Sequence, residues 1–151
     1  MTKNDEFDLQ DFLPYLLNQA AEASSLGFQS YYKAKYGMLQ TEWRVVFHLG
    51  RYGEMTAKQI CQRAQIHKTK ISRAVSALEV KRFLTRTEDE KDRRQEALKL
   101  TETGTRAYRD LRQEASRFDQ YLARDIPAAD IDALKRCLRQ ISGLDAAKTQ
   151  P

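Results

Sequence analysis

Along the first third of the chain, apolar residues return every three or four positions. Leu9, Leu13, Leu16, Leu17 and Ala20 share one helical face, which Phe28, Tyr31 and Ala34 continue until Gly37 breaks it. Thr41-Glu42 offers a fresh cap, and Trp43, Val46, Phe47 and Leu49 make the next helix apolar on a broad front as far as Tyr52-Gly53. Thr56 and Gln59 then stand three residues apart, so each side chain can satisfy an orphan amide of the other at a helix start. Ala57, Ile60, Cys61 and Ala64 carry that short helix, and the pattern breaks at Gln65-Ile66-His67. A further helix follows, with Ile71, Ala74, Val75 and Leu78 on one stripe.

The period then changes. Phe83-Leu84-Thr85-Arg86-Thr87 and Gln95-Glu96-Ala97-Leu98-Lys99-Leu100 bracket the charged segment 88–94, which predicts an antiparallel hairpin with a projecting tip. After Thr101 the helical spacing returns. Tyr108, Leu111, Ala115, Phe118 and Leu122 form a seam, Pro127 restarts the chain, and Ile131, Leu134, Leu138 and Ile141 continue in a last helix before a frayed tail from Ala146. The compact helix-and-hairpin segment can cover only one end of this seam, so the first and last helices are expected to cover it on a second copy, giving a two-fold dimer.

The face of the 68–80 helix opposite its stripe is short, polar and cationic: Thr69, Ser72, Arg73 and Ser76, flanked by Lys68 and Lys70. Hydroxyls and a guanidinium near a helix start can reach base edges in a major groove, and lysines can neutralise phosphates. Any surface helix shows a polar face. The basic hairpin that follows is what favours nucleic acid, because an arginine at its tip could enter a narrow minor groove. Arg86, Arg93 and Arg94 are the hairpin candidates. The acids of the tip would repel phosphate unless they fold back on arginines, and the Asp92-x-Arg94 spacing lets one carboxylate brace a guanidinium.

Charge distribution agrees. Residues 56–94 hold eleven basic and five acidic side chains, a net +6, while the whole 151-residue chain is only +5. The positive charge is concentrated on the two-helix and hairpin segment, the electrostatic footprint of a DNA reader.

In this order, Leu78-Glu79, Asp89-x-x-Asp92-Arg93-Arg94, Leu98-x-Leu100-Thr101 and Gly104 resemble the MarR-type transcriptional regulators. The resemblance implies a mainly α (α+β) fold: one unit over 1–151, a winged helix-turn-helix head over 38–100 with a small β-hairpin wing, and long terminal helices, 7–36 and 101–145, forming a dimerisation region. It implies that Lys68, Thr69, Lys70, Ser72 and Arg73 line the recognition helix and that Arg94 of the wing enters the minor groove. The expected partners are double-stranded DNA with a pseudo-palindromic operator, a second copy of the chain, and a small aromatic or anionic effector, for which Tyr36, Trp43 and His48 could line a crevice. Three positions depart from the pattern. His67 stands where serine or aspartate caps the recognition helix, Glu90 where proline is frequent, and Arg82 where glycine ends that helix. Either the helix ends differently there, or Arg82 gains a phosphate contact that offsets the strain.

Other functions find little support. His48 and His67 are the only histidines, no Gly-rich phosphate loop occurs, and no Cys/His or Asp/His cluster has metal-ligand spacing, so no catalytic residue, metal or cofactor is expected. Cys61 and Cys137 lie on apolar stripes and are expected to be buried, reduced hydrophobes. No apolar run approaches the roughly 20 residues of a membrane span, and the acidic start is unlike a secretory signal, so a cytoplasmic protein is expected. The rival to a specific regulator is a winged helix that coats DNA without sequence preference or binds proteins.

Overall fold

The computed structural model describes residues 7–88, 90–91 and 94–144. The tail from Ala146, and Asp92 and Arg93 of the hairpin tip, lie outside the described residues.

Among the described residues six helices and three short strands follow in the order α1 (Leu13–Tyr36), α2 (Gln40–Tyr52), β1 (Met55–Thr56), α3 (Ala57–Ala64), α4 (Lys68–Val80), β2 (Leu84–Glu88), β3 (Glu96–Leu100), α5 (Glu102–Ala123) and α6 (Ala128–Ser142). The fold is a winged helix: α2, α3 and α4 pack beside a sheet of order β1-β3-β2, while α1, α5 and α6 extend from it. The hairpin is antiparallel, with Leu84 opposite Leu100 and Glu88 opposite Glu96. The sequence pattern does not reveal β1, because two residues are too short for a period; it exists by pairing Met55 with Leu98 and Thr56 with Ala97.

Local chemistry explains most boundaries. Thr56 Oγ1 accepts from the Gln59 amide at 3.2 Å, and Gln59 Oε1 accepts from the Thr56 amide at 2.9 Å, the reciprocal cap expected for α3. Two expected starts shift. The first helix begins at Leu13, because Pro14 inside a longer helix would clash with the carbonyl four residues before it; Leu9–Asp11 form a separate 3-10 turn. The second begins at Gln40 and not at Thr41, because the Glu42 carboxylate reaches back to the Leu39 amide at 2.8 Å.

The core lies where α2, α3, α4 and the sheet meet, around Val45, Val46, Ile60, Ile71, Val75, Leu78, Leu84 and Leu98, all at most 2 % exposed. Burial of each such side chain contributes roughly 1.5–3 kcal/mol. An aromatic cluster extends this core toward the long helices: Phe28 of α1 meets Trp43 edge-on at 5.0 Å and stacks on Phe118 of α5 at 6.0 Å. The α5 seam is therefore covered from within the same chain as far as Phe118, which corrects the expectation that α1 covers it only on a second copy. Past that point the apolar positions are open. Leu122, Leu134, Leu138 and Ile141 are exposed, as are Leu9, Leu13 and Leu16 at the other end of the chain. Cys61 packs partly buried against the core, but Cys137 is exposed, since α6 buries no residue within this chain.

The junction after α4 joins the winged helix to α5. Arg82 adopts φ +64°, so the helix does end in a left-handed residue at the position where glycine is usual. Of the two alternatives raised by the sequence, the first, a different helix end, does not hold. The Arg82 amide donates to Glu79 O at 3.0 Å and the Phe83 amide to Leu78 O at 2.9 Å, a Schellman pair closed by the buried side chains of Phe83 and Leu78. Thr101, the N-cap of α5, then donates its hydroxyl to Arg82 O at 2.7 Å and its amide to Phe83 O at 3.0 Å. Gly104 completes the contact, because a Cβ there would lie 2.0 Å from Phe83 O.

Two polar nodes hold the end of α1. Lys81 Nζ donates to Glu42 Oε1 at 2.6 Å and to Gly37 O at 2.7 Å, and the Glu42 side chain is only 3 % exposed. Asp110 of α5 accepts from the Tyr31 hydroxyl at 2.8 Å and from the Tyr36 hydroxyl, and pairs with Lys35 Nζ at 2.9 Å. Partial burial opposes ionisation of Asp110, but the donors from Tyr36, Lys35 and Tyr31 outweigh it and hold the carboxyl below its ordinary range. Burial, then the bond to Asp110, pushes Tyr36 up to about 12.

Three stability predictions follow from these contacts, each measured by urea denaturation at fixed protein concentration. Arg82→Gly relieves the left-handed strain and should raise stability by about 0.5–1 kcal/mol, net of the greater unfolded-state entropy of glycine. Lys81→Met leaves the Glu42 carboxylate buried with one amide partner and should cost about 3 kcal/mol, against less than about 0.5 kcal/mol for Lys135→Met in the exposed pair with Asp119. Because folding lowers the Asp110 value, its contribution is present above the unfolded value of about 3.9 and is lost as pH falls through the folded one. Tyr36 runs the other way: its contribution is present below about 10 and is lost as pH rises toward about 12. Asp110→Asn should accordingly flatten the acid limb of the stability curve, and an unchanged limb would show that the carboxyl does not carry it.

Candidate nucleic-acid interface

The α3–α4 unit presents the expected polar face. The Cys61 carbonyl accepts from the Ile66 amide at 3.4 Å across the turn, where Gln65 takes a left-handed conformation. His67 caps α4: its Nδ1 accepts from the Thr69 amide at 3.2 Å, a role open to an imidazole whose Nδ1 is unprotonated. The less usual cap thus leaves the helix start at Lys68. Burial of Ile71, Ala74, Val75 and Leu78 then turns Lys68, Thr69, Lys70, Ser72, Arg73 and Ser76 outward, and all six are exposed.

Beside this face lies the hairpin. Between α3, α4 and the two long strands runs a groove of about 660 Å³, with Lys58, Lys68, Ser72, Arg86 and Arg94 along its walls and Cys61, Val75 and Leu98 among its apolar lining. The structure therefore brings Lys68, Ser72, Arg86 and Arg94 to one groove. Thr69, Lys70, Arg73 and Ser76 lie on the same helix without lining it. Arg94 is exposed beyond the start of β3. The proposed brace from Asp92 and the candidate Arg93 lie outside the described residues.

Arg86 is held by three acceptors. Its Nε donates to Glu79 Oε2 at 3.2 Å, one terminal nitrogen to Glu96 Oε2 at 3.3 Å and the other to Ser76 Oγ at 3.1 Å. Ser76 and Arg86, both read from sequence as DNA-facing, are thus bonded to each other. Sequence reasoning had no means of finding this contact, because its members come from α4, β2 and β3. Lys58, ten residues before Lys68, is a groove residue that the face-by-face reading passed over.

The three effector-crevice candidates each have contacts within the chain. The Tyr36 hydroxyl is bonded to Asp110, Trp43 belongs to the aromatic cluster with Phe28 and Phe47, and His48 Nδ1 lies 2.7 Å from Arg44 O. Neither the α4 groove nor the smaller cleft between Leu49, Lys99 and Arg109 is lined by any of them. Among the described residues no group of three or more His, Cys, Asp or Glu could hold a metal ion, and no helix is long and apolar enough to cross a membrane.

Comparison with known proteins gives this geometry a context. Residues 36–95, which run from the end of α1 through both helices of the turn and across the hairpin tip, match the model of the MarR family. The uncharacterized HTH-type transcriptional regulator YwoH of Bacillus subtilis strain 168 is 24% identical over 104 residues, 69% of this chain and 75% of that protein. Among solved structures, BpsR of Bordetella bronchiseptica, whose DNA binding is regulated by 6-hydroxynicotinic acid, aligns with a TM-score of 0.82 at 19% identity, over 91% of this chain and 97% of that one. PcaV of Streptomyces coelicolor, solved with its natural ligand, aligns with a TM-score of 0.80 at 18% identity, over 91% of this chain and 96% of that one. At these identities the structures speak for the fold, and the family match speaks for the head: residues 36–95 are similar to the MarR family, and the chain shares the winged-helix fold of solved transcriptional regulators.

Proposed function

We propose that the chain is a sequence-specific, dimeric regulator that represses nearby genes and is released by a small effector. The observation that carries this reading is the exposed Lys68–Ser76 face of α4 standing beside a groove whose other wall bears Arg94. A face of this kind fits a major groove, while an arginine beyond the start of β3 is suited to the adjacent minor groove. Lysine and arginine contacts to phosphate set affinity and its steep salt dependence, and Thr69, Ser72 and Arg73 set sequence preference.

The exposed apolar positions of α6, the far end of α5 and the start of α1 support a second copy as partner, since a row of large apolar side chains left in water favours association. In this reading 38–100 is the reading head, 7–36 and 101–145 form the dimerisation region, and 1–151 acts as one unit. Two heads related by a two-fold axis engage successive major grooves about 10 base pairs apart, so the operator is a pseudo-palindrome. Occupation of a promoter then blocks transcription in the cytoplasm, a step that rests on family analogy. Effector relief rests on the ligands named for BpsR and PcaV. A small aromatic or anionic molecule near Tyr36, Trp43 and His48 would act by favouring one separation of the heads over another.

Selection of fragmented genomic DNA at moderate salt tests the reading. Wild-type protein should enrich a pseudo-palindrome, and Arg94→Ala should lose it while remaining dimeric; uniform retention of all fragments would favour architectural binding. On the selected site Arg73→Ala should cost about 1–3 kcal/mol and relax discrimination, whereas equal losses on selected and scrambled DNA would remove Arg73 from direct readout.

A further inference from the structure

The Arg86 guanidinium reaches three acceptors on two other elements: Glu79 and Ser76 of α4, and Glu96 of β3. It sits in the body of β2, opposite Leu98, and not at the tip. Its two carboxylate partners stay about half exposed, at 45% and 55%, while the arginine itself is 32% exposed. Glu96 and Arg86 line the same groove as Lys68 and Arg94. Glu96 and Glu88 line that groove and Glu79 is exposed at the end of α4, and Arg86 is bonded to Glu79 and Glu96.

We propose that Arg86 is a positioning residue for DNA binding and not a DNA contact: it masks Glu79 and Glu96 from phosphate and ties the wing to α4. This inference rests on the DNA-reading function proposed above. A lysine could supply the charge, but its donors all sit on one nitrogen, whereas the planar guanidinium reaches Glu79, Glu96 and Ser76 from three separate nitrogens. The serine hydroxyl at its third arm also keeps Ser76 turned toward the wing, which removes Ser76 from base reading. Without Arg86 the two carboxylates face the DNA backbone unpaired, and like charges at such an interface repel.

A double-mutant cycle on DNA affinity tests this. Arg86→Ala should weaken binding to the selected operator about tenfold, the size typical of coupled neighbouring groups. Glu79→Gln with Glu96→Gln in otherwise wild-type protein should change affinity by less than about twofold, because each glutamine oxygen still accepts from Arg86. Added to Arg86→Ala, the same pair should restore affinity to within about threefold of wild type, although the urea midpoint stays low because the bonds are still missing. That split between affinity and stability is what a purely structural role would not produce. Arg86→Lys should fall between wild type and alanine. Equal losses on removing Arg86 in both backgrounds, or wild-type affinity for Arg86→Lys, would overturn the proposal in favour of a direct phosphate contact. Failure of the wild-type protein itself to prefer any site, with all variants alike, would instead bring down the DNA-reading function on which it rests.

Discussion

How the wing and α5 sit against α4 depends on how α4 ends. Within six residues the chain must leave a helix, enter β2 and present a carbonyl pair to the start of α5. Left-handed Arg82 makes the reversal, the bonds to Leu78 O and Glu79 O close it, and Thr101 ties Arg82 O and Phe83 O to α5. Gly104 allows that approach by having no side chain where Phe83 O sits. The junction joins α4, the wing and the long α5 helix through backbone bonds and the Thr101 hydroxyl. A glycine in place of Arg82 would make the same turn with less strain. The strained residue is held because the surrounding bonds over-determine its conformation.

Around that rigid junction the polar contacts are graded by burial. Glu42 is nearly inaccessible and has Lys81 beside it, so the pair matters mainly because neither member can be lost alone. The Asp110 node is intermediate, with three donors converging on one carboxylate between α1 and α5. Arg86 and its two acids are the most exposed, where ion pairs add little to stability but do set which charges meet a ligand. Lys81 and Asp110 both hold the last turns of α1. A change in how α1 sits would therefore be felt at the C-terminal end of α4 and along α5 together.

Much of this was legible in the chain. The reciprocal Thr56/Gln59 cap, the apolar stripe of α4 and the hairpin on either side of the charged segment are local, and local periodicity and capping report them directly. The outward face of α4 followed from the stripe, because burying one side of a helix exposes the other. Where the reading slipped, the cause was a contact distant in sequence or a single overriding residue. Pro14 moved the start of α1 to Leu13, Glu42 moved the start of α2 to Gln40, and β1 arose only because β3 was there to pair with it. Cys137 was placed on an apolar stripe correctly, but a stripe says which side of a helix is apolar and not whether anything in the same chain covers it.

The sequence by itself determined the succession of helices, the hairpin, the concentration of positive charge and the identity of the face that α4 turns outward. Each is a property of neighbours within one or two turns, where spacing dictates which side chains share a side. Only the tertiary structure decided which acceptors meet a cation of that segment. Arg86 is one basic letter among many in the hairpin, yet folding bonds it to Ser76, Glu79 and Glu96 across three elements. The reason is that an arginine's role is set by the acceptors within reach of its fork, and folding brings those together from parts of the chain that no local pattern connects.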